Sequence, residues 1–439
     1  MPQAPIPLPY VVDRRAELGD QPFVQALLIG VSAYRYLIGG PEESPNAEEV
    51  GLSQLEAPAA TAVKLYEWLL RADREQRLPY RLGAVTLLLA PSAAEMDYVT
   101  GVVPGRQWTV PTRQAVEQAV HRFHADILAA ERAAAKSGRP AGMAVYYFGG
   151  HGIDGGSGGD PAIVVEDVLA PEEAQRGGNA MYQREIRDLL TTFARQDGGA
   201  ADSAGRVRCV VLCDCCQEQI PEIGPTSFID PVTGIPSPAN PRDYLGLWAT
   251  SPRLEASELT QLLAPFKDHG LPLTAFGHLV LTCIDWGFEE NPDVANSLPL
   301  RLSTLELANH VHDRWGELRK IVENLDGALP GKPGLAASGP KFSLCYTQEP
   351  PQARLQIVSS PEDLYRDLRV FFDRLGVQRR LDHPWTKYPE SIMLVPGLFK
   401  VEFSVAGAPP VREGQKDVKL TLTQQVWEFR RDRSEIRNP

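Results

Sequence analysis

The chain has 439 residues, 43% of them hydrophobic, and a formal net charge of −12 with a pI near 5.3. That size and apolar content suffice for one large domain and a smaller one, and the acidic balance argues against a general nucleic-acid or anionic-membrane binder. No apolar run reaches the length of about 18 residues that a membrane span needs. The first residues lack the basic and apolar regions of a secretory signal, and six cysteines are few for this length, so we expect a cytoplasmic protein with reduced thiols.

The first part of the chain alternates predicted strands and helices. A Pro-rich, charged stretch over residues 1–20 indicates a surface arm. Apolar runs bounded by turn residues predict strands, and apolar residues at helical spacing predict helices. We therefore expect a strand at 23–31, a helix at 59–72, a strand at 84–89, a helix opened by Pro111 and running to about residue 135, and a strand at 143–148. This βαβαβ order predicts a parallel sheet with right-handed crossovers.

The later part of the chain is less regular. Residues 218–243 carry six prolines and form a long loop, which is usually functional or disordered inside a compact domain. Beyond residue 350 the pattern becomes β-rich and resembles the small β-sandwich modules attached to many enzymes. The predicted elements are strands at 162–165, 207–213, 244–252 and 341–346, helices at 186–193, 273–286 and 304–324, and then strands at 355–358, 392–395, 398–405 and 418–422 with a helix at 361–375.

Two buried strands end in residues that could perform nucleophilic catalysis. The run at 143–148 leads into Gly149-Gly150-His151-Gly152, and the run at 207–213 leads into Asp214-Cys215-Cys216. Open α/β sheets bind ligands beyond the carboxyl ends of their strands, so these two ends form a candidate Cys–His dyad. The thiols could instead be buried core residues or metal ligands, but no second Cys/His cluster completes a zinc site.

The stretch Gly150–Gly155 formally matches a dinucleotide-binding glycine pattern. We expect no helix to start there, and the phosphate-binding geometry depends on one. A nucleotide-binding α/β protein is therefore the weakest of the functional readings.

Together, the two motifs resemble those of the caspase/metacaspase clan of cysteine peptidases. The shared pattern is a hydrophobic strand into Gly-His-Gly, here at Gly150-His151-Gly152, and about sixty residues later a hydrophobic strand into Asp-x-Cys, here at Asp214-Cys215-Cys216. The resemblance covers residues 21–350. It implies a caspase-like, mostly parallel six-stranded sheet flanked by helices, followed by a C-terminal β-rich accessory domain over residues 351–439, with residues 1–20 as an N-terminal arm.

The resemblance also implies roles for particular residues. Cys216 matches the nucleophile and His151 the general base, and the backbone N–H groups of Gly152 and Cys216 would form the oxyanion hole. Cys215 is the rival nucleophile, since neighbouring strand residues point to opposite faces and only one of the pair can face the cleft.

Asp214 carries the inference about specificity. In the clan, the residue two before the nucleophile lines the primary specificity pocket; it is Gln in caspases, which cut after Asp, and Asp in metacaspases, which cut after Arg or Lys. Asp214 therefore predicts cleavage after a basic residue, although backbone N–H groups of a turn could satisfy the carboxylate instead. The stretch from Tyr244 to Pro252 resembles the clan's strand that walls this pocket, which implies substrate contacts for Trp248 and Thr250.

The resemblance thus implies a cysteine endopeptidase of prokaryotic type, and stand-alone members of the clan in bacteria are often effectors in defence or cell death. We expect a protein substrate with a basic residue before the scissile bond, and a regulatory protein is a candidate partner for residues 351–439. We expect no required cofactor. Asp160, Glu166 and Asp167 carry carboxylate oxygens of the type that binds calcium, which leaves calcium activation open. The alternative is a catalytically silent caspase-like fold used for protein interaction.

Overall fold

A computed structural model of the chain divides into two compact units. The first comprises Met1–Leu281 and Arg319–Cys345, and the second comprises Thr282–Leu318 and Tyr346–Pro439. The structure describes residues 6–154, 161–171, 180–191, 205–215, 220, 223, 225–227, 242–249, 273–286, 300–323, 333–338, 340–347, 353–360, 368–374, 380–384, 390–394, 397–405, 411–418, 425–430 and 435–437.

Within the described residues of the first unit, seven strands form one mixed, mostly parallel sheet. In chain order they are β1 (Tyr10–Asp13), β2 (Phe23–Val31), β3 (Arg81–Ala90), β4 (Gly142–Gly149), β8 (Arg208–Asp214), β10 (Tyr244–Trp248) and β12 (Gly334–Ser338). Their spatial order is β1-β3-β2-β4-β8-β10-β12. The five inner strands run parallel, and β1 and β12 close the edges in antiparallel pairing.

A smaller four-stranded sheet follows β4 in the same unit. It contains β5 (Gly152–Asp154), β6 (Pro161–Val164), β7 (Ala180–Tyr182) and β9 (Pro225–Thr226). The strand β5 starts directly after His151, so no helix begins within residues 150–154, the part of the glycine pattern that the structure describes. Over these residues the backbone does not have the loop-to-helix geometry of a dinucleotide-binding site.

Helices cover both faces of the large sheet, as the near-continuous apolar strands require. On one face lies α5 (Arg113–Ser137), whose Val116, Val120, Phe123 and Ile127 share a core with the strands. On the other lies α3 (Pro58–Arg74), which is buried along Ala59, Ala62, Val63 and Tyr66. The other helices that the structure describes are α1 (Arg15–Leu18), α2 (Ala47–Val50), α4 (Met96–Val102), α6 (Gln183–Thr191), α7 (Ala275–Trp286) and α8 (Thr304–Glu323), with a 3₁₀ turn at Pro104–Arg106.

The order of the strands creates a crevice at the carboxyl ends of β2 and β4. From β2 the chain crosses to β3 on one side and then to β4 on the other side. The connections leave β2 and β4 in opposite directions, which makes this the topological switch point where open α/β sheets bind ligands. His151 directly follows β4, and Tyr34 follows β2 by three residues, so the strand order alone puts both residues at the crevice.

The expectation of a mostly parallel α/β sheet is confirmed, but the two edge strands differ from the prediction. The sequence pattern predicts a surface arm that includes Tyr10–Asp13, whereas these residues form β1 against β3. The pattern also predicts that residues 341–346 form the sixth strand of the sheet. The strand at this position, β13 (Ser343–Thr347), is not part of the large sheet, and the edge is formed by β12 instead. The sequence of β12, Gly-Leu-Ala-Ala-Ser, contains few residues that favour strands. It is recognised as a strand only through its pairing with β10.

Partly buried polar contacts, centred on the buried carboxylate of Asp73, hold the β1 segment against the sheet. Arg14 donates to Asp73 at 2.8 Å, and Asp73 also accepts from Arg81 at 2.8 Å and from the backbone N–H of Leu82 at 2.9 Å. The hydroxyl of Tyr10 donates to Asp126 on α5 at 2.6 Å. A charged, Pro-rich sequence therefore docks through ion pairs rather than through apolar periodicity, and pattern analysis misses such docking.

The start of α5 also differs from the expectation that Pro111 opens it. The helix begins at Arg113, and the side chain of Thr112 accepts a hydrogen bond from the backbone N–H of Ala115 at 3.3 Å. Thr112 is thus the N-cap and satisfies one of the free N–H groups of the first turn. Pro111 lies outside the helix.

The second unit contains two four-stranded sheets within its described residues. One has the order β17 (Glu390–Leu394), β14 (Ala353–Ser360), β20 (Gln425–Arg430) and β21 (Glu435–Arg437). The other has the order β16 (Arg380–Pro384), β15 (Leu368–Arg374), β18 (Gly397–Val405) and β19 (Val411–Val418). One further strand among the described residues is β11 (Leu300–Ser303).

The prediction of a helix over residues 361–375 was wrong where the structure describes that range, since Leu368–Arg374 form the strand β15. Val370 and Phe372 are buried, and their neighbours Arg369 and Asp373 are exposed. That alternation has period two and is the signature of a half-buried strand. The ring of Phe372 meets Phe399 of β18 edge to face, with centroids 6.2 Å apart.

Candidate functional site

The ends of β4 and β8 lie side by side at the crevice. The two strands pair in parallel, with Gly149 opposite Asp214, and the backbone N–H of Gly150 donates to the carbonyl oxygen of Asp214 at 3.2 Å. Consequently the Gly-His-Gly turn and the described end of the second motif, Asp214 and Cys215, leave the sheet next to each other although they are far apart in sequence.

Two tyrosines occupy the space that the glycines of the first turn leave open. A Cβ atom at Gly149 would lie 2.5 Å from the hydroxyl of Tyr147, and one at Gly150 would lie 2.8 Å from the hydroxyl of Tyr34. Gly150 also has a φ of +155°, which L side chains rarely adopt. The glycines of the motif therefore have a packing role: they allow Tyr147 to reach Asp214 and Tyr34 to reach the backbone of His151.

Tyr34 and the backbone of Ser53 hold His151 in place. Its backbone N–H donates to the Tyr34 hydroxyl at 2.7 Å, and the Tyr34 ring lies beside the imidazole with centroids 5.0 Å apart. The Nε2 atom lies 2.7 Å from the backbone carbonyl oxygen of Ser53. A carbonyl can only accept, so Nε2 carries the proton in the neutral ring and Nδ1 is the basic nitrogen. Among the described residues, nothing hydrogen-bonds Nδ1.

Burial controls the protonation of His151. The residue is only 8% exposed, and burial lowers the pKa of the imidazole to about 4, with the hydrogen bond to the Ser53 carbonyl partly opposing that effect. The ring is therefore neutral at physiological pH, in the state that can accept a proton.

The thiols at the end of β8 are not equivalent. Cys213 and Cys215 lie on one face of the strand, are both buried, and have their Sγ atoms 3.2 Å apart. The hydrogen bond with Cys213 and burial together raise the pKa of Cys215 well above the usual thiol value. Cys215 is thus an unfavourable nucleophile, because the thiolate is the reactive form. Cys216, the predicted nucleophile, lies outside the described residues.

The side chain of Asp214 points to the opposite face of β8, where it is buried and accepts hydrogen bonds from two hydroxyl groups. Its Oδ2 atom accepts from Tyr147 at 3.0 Å and from Thr274, just before α7. Burial raises the pKa of the carboxyl to about 6, and the hydrogen bonds from Thr274 and Tyr147 oppose this shift. No basic side chain among the described residues pairs with Asp214, so the carboxylate has hydrogen-bond donors but lacks a cation.

The other predicted substrate residues fall in different places. Trp248 ends β10 opposite Cys213 and shares the core that contains Cys213 and Cys215, so it lies on the face away from Asp214. The structure does not bring Trp248 and Asp214 together. Thr250 lies outside the described residues. Gly152, the predicted oxyanion donor, opens β5 and pairs opposite Ile163.

Sequence reasoning missed the residues that support the site. Ser53 and Tyr34 hold His151, and Tyr147 and Thr274 hold Asp214. The one local signal was the pair of tyrosines, because each sits at or just beyond the end of a predicted strand. Ser53 acts through its backbone carbonyl and has no signal in the sequence.

Over the described ranges, no group of three or more His, Cys, Asp or Glu side chains is arranged to hold a metal ion. In the same part of the chain, no helix combines the length and apolar character needed to cross a bilayer.

No protein-family model matches this chain, and no curated protein is significantly similar to it.

Proposed function

We propose that the chain is a caspase-like cysteine endopeptidase in which Cys216 is the nucleophile and His151 the general base. The observation that carries the proposal is the state of His151: a neutral imidazole at the switch point, with Nε2 held by the Ser53 carbonyl and Nδ1 left as the base, beside the turn that leads to Cys216. Five adjacent parallel strands in the order β3-β2-β4-β8-β10, followed by the antiparallel edge strand β12, support the assignment to this class, and β1 adds a second antiparallel edge strand beside β3.

The proposed chemistry needs no further protein group to move a proton. Nδ1 of His151 takes the proton of the Cys216 thiol as the sulfur attacks the scissile carbonyl carbon, and the oxyanion that forms is stabilised by the N–H groups of Gly152 and Cys216. The imidazolium then gives the proton to the departing amine. Water, deprotonated by the same nitrogen, hydrolyses the thioester and regenerates the thiol. The raised pKa of Cys215 supports Cys216 rather than its neighbour in this role.

We further propose that the substrate carries Arg or Lys before the scissile bond and that Asp214 binds that side chain. A buried carboxylate without a cation is costly, and a guanidinium or ammonium group would supply the missing charge. Thr250 remains a proposed pocket residue, whereas Trp248, which lies in the core on the face away from Asp214, is not proposed to contact the basic substrate side chain.

One observation favours the alternative, a catalytically silent fold used for protein interaction. His151 is only 8% exposed, and its Nε2 is already satisfied by a backbone carbonyl, as expected for a structural histidine. The two functions differ in whether Nδ1 reaches a reacting thiol.

A panel of fluorogenic peptides that varies the residue before the scissile bond separates the two functions. The panel is run with and without calcium. We expect turnover after Arg or Lys that is abolished in Cys216→Ala and in His151→Gln and persists in Cys215→Ala. Turnover that disappears in Cys215→Ala but survives in Cys216→Ala would reverse the assignment of the nucleophile. A preference for Asp before the scissile bond would contradict the role of Asp214, and inactivity under all conditions favours the silent fold.

A further inference from the structure

The acceptor for His151 lies on the connection between β2 and α3, which runs from residue 32 to residue 57. Ser53 itself is exposed on this connection. A catalytic group must keep its position within a fraction of an ångström, and so must the groups that orient it. An exposed loop residue does not by itself hold its carbonyl oxygen that firmly. Some other contact has to fix the backbone at Ser53.

The side chain of the next residue, Gln54, makes that contact. Its Oε1 atom accepts from the backbone N–H of Tyr34 at 2.7 Å, and its Nε2 atom donates to the carbonyl oxygens of Tyr34 and Ile38, both at 3.0 Å. One amide thus binds three backbone groups at the start of the connection and ties them to its end. A glutamine side chain can donate two hydrogen bonds and accept two, so these three contacts use most of its capacity.

The same contacts reach His151 by two routes. Through the backbone of Gln54 they fix the preceding Ser53 carbonyl, which accepts from Nε2 of the imidazole. Through the backbone of Tyr34 they fix the residue whose hydroxyl accepts from the backbone N–H of His151 and whose ring lies beside the imidazole. Two further contacts join the start of this connection to its end. Ile38 forms a β-bridge with Ser53, and the backbone N–H of Leu55 donates to the carbonyl oxygen of Ser32 at 2.8 Å.

We propose that Gln54 is a positioning residue for His151, which selects the imidazole tautomer with the proton on Nε2 by holding the Ser53 carbonyl and Tyr34 in place. The inference rests on the proposed function for its role in turnover, whereas the tautomer can be observed without any turnover. Gln54 touches neither substrate nor thiol in this role and acts only through the two residues that it binds.

The test compares Gln54→Leu and Gln54→Glu with the wild-type chain by long-range ¹H–¹⁵N correlation spectra of the histidine rings. The His151 signals are identified by their absence from His151→Gln. We expect the wild type to show one tautomer, protonated at Nε2, and both variants to show mixed tautomers or exchange-broadened signals. Gln54→Glu retains the acceptor for Tyr34 N–H but turns a carboxylate toward two carbonyl oxygens, so it tests the donors separately. Gln107→Leu, at an exposed glutamine, is the matched control and should resemble the wild type.

Peptide hydrolysis supplies the second measurement. We expect kcat to fall at least tenfold in both Gln54 variants, with KM changed less than threefold, because binding groups are untouched. Unchanged His151 spectra in both variants would overturn the proposal, whatever the activity. Altered spectra in a chain that hydrolyses no peptide would leave Gln54 as the residue that positions His151 and would count against the proposed protease function alone.

Discussion

At the scale of single residues, the site depends on groups whose usual ionisation is altered by burial. Burial keeps His151 neutral and raises the pKa of the Asp214 carboxyl to about 6. Both shifts come from desolvation, which disfavours the charged form of either group. The reactivity of Cys216 is expected to rise with pH and the stability of the first unit to fall with pH, and the two can be measured separately.

The reactivity of the nucleophile should follow the ordinary titration of a thiol. With the pKa of His151 near 4, the resting site contains no imidazolium to stabilise a thiolate, so proton transfer accompanies attack. We expect the rate of alkylation of Cys216 by iodoacetamide to rise with a midpoint near the usual thiol pKa of about 8.5. Mass spectrometry of the modified peptide, with Cys216→Ala as control, measures it. A rate that is already constant from about pH 6 would instead indicate a preformed thiolate–imidazolium pair.

Asp214 should reduce stability at neutral pH. Its folded-state pKa of about 6 lies above the unfolded value near 3.8, so the folded chain holds a proton between these values that the unfolded chain releases. Stability therefore rises as pH falls from about 6 to about 4. We expect Asp214→Asn to stabilise the first unit at pH 7, by on the order of 1–3 kcal/mol, and to have little effect at pH 4. Thermal denaturation at the two pH values measures this.

The same substitution should remove the preference for basic substrates. In the wild type, KM for Arg or Lys peptides is expected to increase as pH falls below about 6, because protonation of Asp214 removes the charge that binds the cation. If Asp214→Asn lowers stability equally at both pH values and leaves specificity intact, the carboxylate serves the fold rather than the substrate.

At the scale of elements, α5 is joined to the segment before β10 by a buried ion pair. Glu131 of α5 accepts from Nε and Nη2 of Arg242 at 2.7 and 2.9 Å, and Arg242 also donates to the Leu190 carbonyl at 2.9 Å. Arg242 is fully buried. It is the one basic residue of the loop at 218–243 and thus its candidate point of self-cleavage, but in this fold a protease would reach it only after local unfolding.

Breaking this ion pair should cost far more than breaking an exposed one on the same helix. Removal of one partner leaves a buried charge unpaired, which typically costs about 3–5 kcal/mol. We expect Glu131→Gln to approach this loss. The pair formed by Arg113 and Glu117, at 2.9 Å with Glu117 31% exposed, should contribute at most about 0.5 kcal/mol. Urea denaturation of Glu131→Gln and Glu117→Gln compares the two, and equal losses would contradict a structural role for the buried pair.

At the scale of the whole molecule, each unit has a core of its own. The first is built on the large sheet, and the second on the buried faces of two small sheets, with Phe372, Phe399, Val401 and Phe403 among its buried residues. Units with separate cores can unfold separately. We therefore expect two transitions in calorimetry, one for each unit.

Two substitutions assign the transitions. Phe372→Ala removes a buried ring that meets Phe399 and should cost about 3–5 kcal/mol, so it should lower one transition temperature only. Asp214→Asn should raise the other at pH 7. A single transition that both substitutions shift would mean that the two units fold as one cooperative body.

The alternation of strands and helices, the parallel inner strands and the two strand ends that carry His151 and Asp214 could be predicted from residue types, because periodicity and apolar content are properties of short segments. Other features depend on contacts between segments that are distant in the chain. The edge strand β12 was chosen by its pairing with β10, and the faces of Trp248 and Asp214 were set by strand register. The Ser53 carbonyl that orients His151 comes from a residue 98 positions away, and a backbone atom brought in by the path of a loop leaves no mark on residue type.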